Sequence, residues 1–229
     1  FCQKLIKKLK LKNEDVLQRY FIQRIEKFVN SKGRSIIGWD EILEGGLAPE
    51  ATVMSWRGEQ GGIEAARQNH NVIMTPGSGG LYIDQLQGKQ NLEPLSIGGY
   101  DPLSKIYSYN PTPAVLTPDQ QKFIIGVQAN LWTEYIPTDA KVEYMTLPRL
   151  LALSEVFWSP DSSRNYKRFI EKVESLFPAF QFSGINYAKS MYNTGIEHAA
   201  VPESKTIRVA LKDQTRQYQI RYTLDGTTP

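Results

Sequence analysis

Four short stretches of this chain set a large aromatic ring beside hydrogen-bonding groups: Gly38-Trp39-Asp40-Glu41, Ser55-Trp56-Arg57-Gly58, Leu81-Tyr82-Ile83-Asp84 and Asn130-Leu131-Trp132-Thr133-Glu134. A flat ring packs against apolar C–H patches, and an ionised carboxylate accepts from hydroxyls. Rings and acids in this combination suit a sugar. Any one of these tryptophans reads equally well as a core residue, since tryptophan is largely buried on average. Three of the chain's four tryptophans sitting at the ends of predicted strands favour a ligand face. The fourth, Trp158, ends a predicted helix ahead of Ser159-Pro160 and is assigned to packing. Glu155, on the apolar side of that helix, is read as a paired structural acid.

Other chemistries find less support. Two histidines, His70 and His198, and one cysteine, Cys2, give no cluster with metal-ligand spacing and no intrachain disulfide framework, so no metal and no cofactor is expected. Both histidines are read as surface residues. Gly77-Ser78-Gly79-Gly80 is rich enough in glycine for a phosphate loop, but no lysine follows it as that loop requires, and a flexible loop positioning Tyr82 fits better. The net charge of +3 gathers at Lys4, Lys7, Lys8, Lys10 and Lys12. A nucleic-acid surface would interleave aromatics with those cations, and none falls between them, so the run is read as a solvated edge and no nucleic-acid partner is expected. Even the richest apolar segment, Leu147 to Trp158, is interrupted by polar residues and falls short of the roughly 20 residues a spanning helix needs, so no membrane partner is expected either.

The elements that must carry these stretches follow from periodicity and punctuation. Asn13 ahead of Glu14 and Asp15 is a helix start signal, and Val16, Leu17, Tyr20, Phe21, Ile25, Phe28 and Val29 continue at helical spacing. Short apolar runs at Ser35–Trp39, Thr52–Trp56, Asn71–Thr75 and Phe123–Val127 read as buried strands, with a short helix over Gly62–Asn69. Pro76 to Pro118 is rich in proline and glycine and too long for an idle connection, so it is read as an active-site loop. A long helical pattern after Asp139 should kink at Pro148, and further helices are predicted over Tyr166–Phe177 and Ile185–Met191. Strands alternating with helices imply parallel βα units, whose strand carboxyl ends form the ligand face. From Val201 the texture changes. Pro202-Glu203-Ser204 reads as a linker, Ile207, Val209 and Leu211 alternate as a strand, as do Tyr218, Ile220 and Tyr222, and Asp225-Gly226 marks a turn. The expected domains are therefore residues 1–200 and a truncated β module over 201–229, in keeping with a length of one domain and a fraction. Phe1 in place of an initiator methionine, with no signal-peptide pattern after it, points to a segment of a longer chain.

The four aromatic stretches, with Gly38-Trp39-Asp40-Glu41-Ile42-Leu43 at their head and in this order, resemble the second half of the catalytic barrel of family 20 glycoside hydrolases, the β-N-acetylhexosaminidases. Ala152 to Ser159 resembles the helix after the last barrel strand, so the likeness covers about Phe1 to Ser159. Tyr222-Thr223-Leu224-Asp225-Gly226 is similar, more weakly, to a β module often appended to these enzymes. The resemblance implies an α/β fold comprising strands 5 to 8 of a (β/α)8 barrel, and an exo-acting hydrolase that removes terminal N-acetylhexosamine from glycans. Trp39, Trp56 and Trp132 would wall the pocket, Tyr82 would hydrogen-bond the acetamido oxygen, and Asp84 and Glu134 would accept from the C4 and C6 hydroxyls. The implied reaction is substrate-assisted and retaining, with the acetamido oxygen as nucleophile and Tyr82 serving to orient it. The resemblance also implies a secreted or periplasmic protein.

The chain departs from the family at proton transfer. Its single Asp-Glu dipeptide, Asp40-Glu41, follows the fifth-strand tryptophan rather than the fourth strand and cannot be carried over as the catalytic pair, which is expected upstream of Phe1 together with an arginine for the terminal sugar. The segment alone is therefore expected to be inactive. Two other classes compete with the enzyme. A non-catalytic carbohydrate-binding protein would keep the same pocket without the acid, and a generic α/β interaction domain would scatter Trp39, Trp56, Tyr82 and Trp132. Half a barrel would also leave strand edges open to self-association.

Overall fold

The computed structural model describes residues 1–215 and 219–227. They form two compact units, Phe1–Leu81 with Asn110–Ala129, and Tyr82–Tyr109 with the described residues from Asn130 on.

In the first unit, helix α1 (Cys2–Leu9) leads to α2 (Glu14–Asn30), whose start is fixed as the sequence predicts: Asn13 Oδ1 accepts from the Val16 N–H at 3.2 Å, and Glu14 and Asp15 lie in the first turn. Strands β1 (Ile37–Trp39), β2 (Thr52–Ser55), β3 (Val72–Met74) and β4 (Ile124–Val127) make one sheet in that order. Every pairing is parallel, with Gly38 opposite Val53, Met54 opposite Ile73 and Met74 opposite Val127. Helix α3 (Gln60–Arg67) covers it, and α5 (Pro118–Gln121), immediately before β4, packs beside α3. Val53, Val72 and Met74 are completely buried against Ile63, Ala65 and Ala66 of α3, with Leu47 and Leu116 closing the cluster. Close approach of α3 to the sheet requires Gly62, where a Cβ would fall 2.6 Å from the Met74 sulfur. Ser55 Oγ ties the helix start down, accepting from Gly62 N–H at 2.8 Å and donating to the Gly58 carbonyl at 2.6 Å. β1 and β4 are the edges of this sheet, and Ile37 and Ile125 on them are exposed.

In the second unit, Tyr82 pairs with Asn130 in a parallel bridge, and the Ile83 N–H donates to the Asn130 carbonyl at 2.9 Å. Helices α4 (Leu103–Tyr107), α6 (Asp139–Thr146), α7 (Arg149–Trp158) and α8 (Tyr166–Phe182) follow, packed around Ile106, Met145, Leu153, Ile170 and Val173. Pro148, without an N–H, separates α6 from α7, so the expected kink is a break. The helix expected over Ile185–Met191 is absent apart from a 3₁₀ turn at Ser190–Tyr192. Gly184, at φ +70°, ends α8, and the following amides go elsewhere: Asn186 N–H to a Glu143 oxygen and Ala188 N–H to the Leu147 carbonyl. Trp158 is also a correction. It is 89% exposed, because Val156 is the residue of that last turn of α7 that faces the core. Glu155 has the partners expected of it, Tyr107 Oη at 2.7 Å and Lys172 Nζ at 3.2 Å. Strands β5 (Gly195–Val201) and β6 (Thr206–Lys212) form an antiparallel ribbon. Pro202-Glu203-Ser204, read as a linker, is its turn. Gln219 to Thr223, part of an expected strand, adopt none, and Tyr218 lies outside the described residues. Asp225-Gly226 does turn, with Asp225 Oδ1 accepting from the Thr227 N–H and Gly226 at φ +81°. His198 is exposed, whereas His70 is half-buried, its Nδ1 2.9 Å from the Ala51 carbonyl.

Candidate functional site

Each unit assembles its own share of the residues singled out in the sequence. In the first, Trp39 at the end of β1 and Trp56 just past β2 meet edge to face, centroids 6.3 Å apart and planes at 76°. This geometry suits two ring quadrupoles. The Trp56 indole is fixed by Glu41, whose two carboxylate oxygens accept from Nε1 at 3.1 and 3.0 Å. Its backbone is fixed by Asp40, whose Oδ2 accepts from the Trp56 and Arg57 N–H groups at 3.2 and 3.3 Å. Asp40 Oδ1 takes Arg57 Nε at 2.6 Å, and Arg57 Nη1 continues to Glu44 at 2.9 Å. Asp40 and Glu41 thus hold Trp56 in place. Trp39 remains 36% exposed and Trp56 half-buried, so both rings keep area for a ligand.

The second unit brings together Tyr82, Asp84, Trp132 and Glu134. The bridge between Tyr82 and Asn130 lays two segments side by side, and each carries an aromatic followed two residues later by an acid: Tyr82 and Asp84 on one, Trp132 and Glu134 on the other. Trp132 and Glu134 are exposed. Asp84 is 4% exposed, and its Oδ1 accepts no hydrogen bond among the described residues. Burial pushes the Asp84 carboxyl above its ordinary range, its own N–H and Arg149 pull it back, and Glu134 and then Asp101 push it further up. Asp84 and Glu134 therefore lie close enough to feel one another's charge. A carboxylate oxygen without a protein donor, with exposed aromatic area and a second acid on the neighbouring segment, can accept a hydroxyl hydrogen while a ring packs an apolar C–H face.

Sequence reasoning passed over Arg149. It is fully buried at the start of α7, and its Nη1 and Nη2 donate to the Gln85 and Ile83 carbonyls on either side of Asp84, at 2.9 and 2.5 Å. The available signal was an arginine inside the apolar run Leu147 to Leu153, a position no solvated cation would occupy. Glu41 was legible as part of a motif, but not its bond to the Trp56 ring. Among the described residues no group of three or more His, Cys, Asp and Glu side chains is placed to hold a metal ion, and no helix is long and apolar enough to cross a membrane.

Residues 1–161 match the family described as glycosyl hydrolase family 20, catalytic domain. Over its whole length the chain is 45% identical to a β-hexosaminidase of Porphyromonas gingivalis, of which it spans 29%, and over 67% of its length it is 34% identical to a β-hexosaminidase of Vibrio furnissii, of which it spans 25%. The chain therefore covers under a third of these relatives. Among solved structures it resembles a family 20 exo-β-N-acetylglucosaminidase of Vibrio harveyi in complex with N-acetylglucosamine, at a TM-score of 0.71 and 29% identity over 82% of this chain and 30% of that one. It also resembles a chitobiase of Flavobacterium johnsoniae, at 0.66 and 26% over 82% and 28%. With a parallel α/β sheet, an aromatic and acidic residue set at the ends of its strands, and a family match over most of its length, the chain belongs to glycosyl hydrolase family 20.

Proposed function

We propose that this chain is the second half of a (β/α)8 barrel, strands 5 to 8, with the ribbon from Gly195 opening a further β module, and that the full-length protein removes terminal N-acetylhexosamine from glycans outside the cytoplasm. Trp39, Trp56 and Trp132 pack the sugar and its acetamido group, Asp84 and Glu134 accept from hydroxyls at the non-reducing end, and Tyr82 donates to the acetamido oxygen. The observation that carries this reading is Asp84, a buried carboxylate with one oxygen that has no protein donor, on a segment bridged to the one that carries Glu134. Such an arrangement opposes folding unless a ligand supplies donors. Catalysis is substrate-assisted: the acetamido oxygen attacks its own anomeric carbon, the glycosidic bond breaks, and water opens the resulting oxazolinium ion with retention. Holding that nucleophile in line contributes effective molarities of about 10⁵ to 10⁸ M. Protonation of the leaving oxygen falls to an Asp-Glu pair in the preceding half of the barrel, since Asp40 and Glu41 have Trp56 and Arg57 as partners.

Hydrolysis of an aryl N-acetyl-β-glucosaminide by the full-length protein tests the activity, and Tyr82→Phe tests the site. Loss of an oriented donor to the developing charge lowers kcat by about 10²-fold. An unchanged kcat with a raised KM would reassign Tyr82 to uniform binding. A full-length protein with no turnover on any N-acetylhexosaminide would overturn the function.

A further inference from the structure

Arg149 occupies a position where elementary electrostatics disfavours a cation. It is the first residue of α7, where the helix dipole repels positive charge, and it is completely buried. Burial draws its pKa down from 12.5 to about 10, against the pull of Asp101, Glu93 and Asp84 and a smaller contribution from Tyr144, so it stays charged at neutral pH. A guanidinium has five N–H donors in a planar fork, and here each has a carbonyl. Nε donates to Met145 at 3.1 Å, Nη1 to Gln85 at 2.9 Å and Asp101 at 3.3 Å, and Nη2 to Ile83 at 2.5 Å and Met145 at 2.6 Å. No donor is left for a carboxylate. Two of the five bonds grip the peptide units on either side of Asp84.

We infer that Arg149 is the positioning residue of Asp84, pinning Ile83 and Gln85 so that the Asp84 carboxylate is held with Oδ1 left without a protein donor for a sugar hydroxyl. This rests on the sugar-binding reading of Asp84 given above. An arginine paired directly with Asp84 would occupy the oxygens that bind the ligand. An arginine bound wholly to carbonyls compensates the buried charge through space and leaves Oδ1 unpartnered, as observed. The charged groups facing Asp84 are Arg149, Glu134 and Asp101, and Asp101 has its own cation in Lys105 Nζ at 2.6 Å. Arg149 is thus the buried cation of the set. A lysine there could not reproduce the grip, since three donors on a point charge cannot meet five carbonyl contacts in a plane, and a buried ammonium readily loses its proton.

The test is a cycle in the full-length protein with an aryl N-acetyl-β-glucosaminide: wild type, Arg149→Lys, Asp84→Asn and the double variant, with thermal unfolding run on each. Arg149→Lys lowers kcat/KM about tenfold, within the roughly 10²-fold cost of misplacing a reacting arrangement by 1 Å, and moves the acid limb of the pH profile upward as the Asp84 carboxyl loses its compensating cation. On the Asp84→Asn background the same change alters kcat/KM by about twofold or less, no more than the scatter expected on additivity, because the group it positions is gone, and it moves no limb. Equal losses on both backgrounds, or an Arg149→Lys protein that does not fold, assign Arg149 to the general fold and overturn the inference. An inactive wild type is a separate outcome: it overturns the proposed function and takes the inference with it.

Discussion

Asp40 and Asp84 are both aspartates beside an aromatic strand end, 2% and 4% exposed, yet the two units treat them in opposite ways. Asp40 accepts two backbone N–H groups and the Arg57 guanidinium, and its neighbour Glu41 accepts the Trp56 indole. Asp84 has an open Oδ1, a cation that reaches it only through space, and a second acid, Glu134, close enough to raise its pKa. A buried carboxylate stabilises the fold when its lone pairs have donors and opposes it when they do not. The first unit therefore uses its acids to fix an aromatic ring, and the second leaves one oxygen of a buried acid without a protein donor. Residue types alone would not separate the two, since each is an aspartate at a strand end with a glutamate nearby.

The contrast is broken most directly by substitution at the two aspartates. Asp40→Ala, which removes the buried acceptor of two backbone N–H groups and of the Arg57 guanidinium, costs about 3 kcal/mol of stability, read by denaturant or thermal unfolding of the full-length protein. Asp84→Asn should do the reverse at neutral pH. The Asp84 carboxyl is raised in the folded protein, so folding favours its protonated form. The stability that this form confers is complete below the ordinary value of 3.8 and is lost as pH rises through the folded value. Above that window the neutral asparagine relieves the penalty, and the variant melts higher than wild type. Below it the difference disappears. The same variant loses about ten- to a hundredfold in kcat/KM, the range of a charge-assisted hydrogen bond. An Asp84→Asn protein that melts lower at pH 7 and keeps its activity would place Asp84 with Asp40 as a fold residue.

The parts of this comparison that sequence made legible are those with local causes. The Asn13 cap, the four parallel strands and the helix between β2 and β3 follow from capping chemistry and short apolar runs, and their observed bounds shift by only a residue or two. The aromatic strand ends were legible because a ring beside polar groups recurs at four places, with an acid at three of them. Arg149 was not, because its partners are all backbone carbonyls, those of Ile83, Gln85 and Asp101 being 66, 64 and 48 positions away and that of Met145 four, and carbonyls carry no sequence signature. The same limit hid the bond between Glu41 and Trp56. Ile185–Met191 misled by its apolar spacing, since the fate of its amides was decided by α6 and the residue after it. Trp158 misled because a composition-level rule about tryptophan knows nothing of where a helix ends.

Smaller effects sharpen the contrast. Glu41→Ala removes the acceptor of the Trp56 N–H while leaving the ring, so kcat/KM falls about tenfold, less than the roughly 10²-fold of a 1 Å misplacement. Glu41→Gln, which keeps an acceptor oxygen, restores most of it. Steady-state kinetics on the pair distinguishes positioning of the indole from any need for charge at Glu41, which equal losses in the two variants would indicate.

Glu134→Gln is the smallest and the most discriminating change. Glu134 is exposed, so stability should hardly move, and the amide oxygen still accepts from a hydroxyl. What is lost is the difference between a charge-assisted and a neutral hydrogen bond, about 1 kcal/mol or roughly fivefold in kcat/KM. A second consequence has the opposite sign. Glu134 raises the Asp84 carboxyl by repulsion, so its neutralisation lets Asp84 ionise at lower pH, and the acid limb of kcat/KM moves down. One variant should thus weaken the enzyme near neutrality and extend its range into acid. A Glu134→Gln protein whose activity falls by the same factor at every pH would show that the two carboxylates do not share one ligand site.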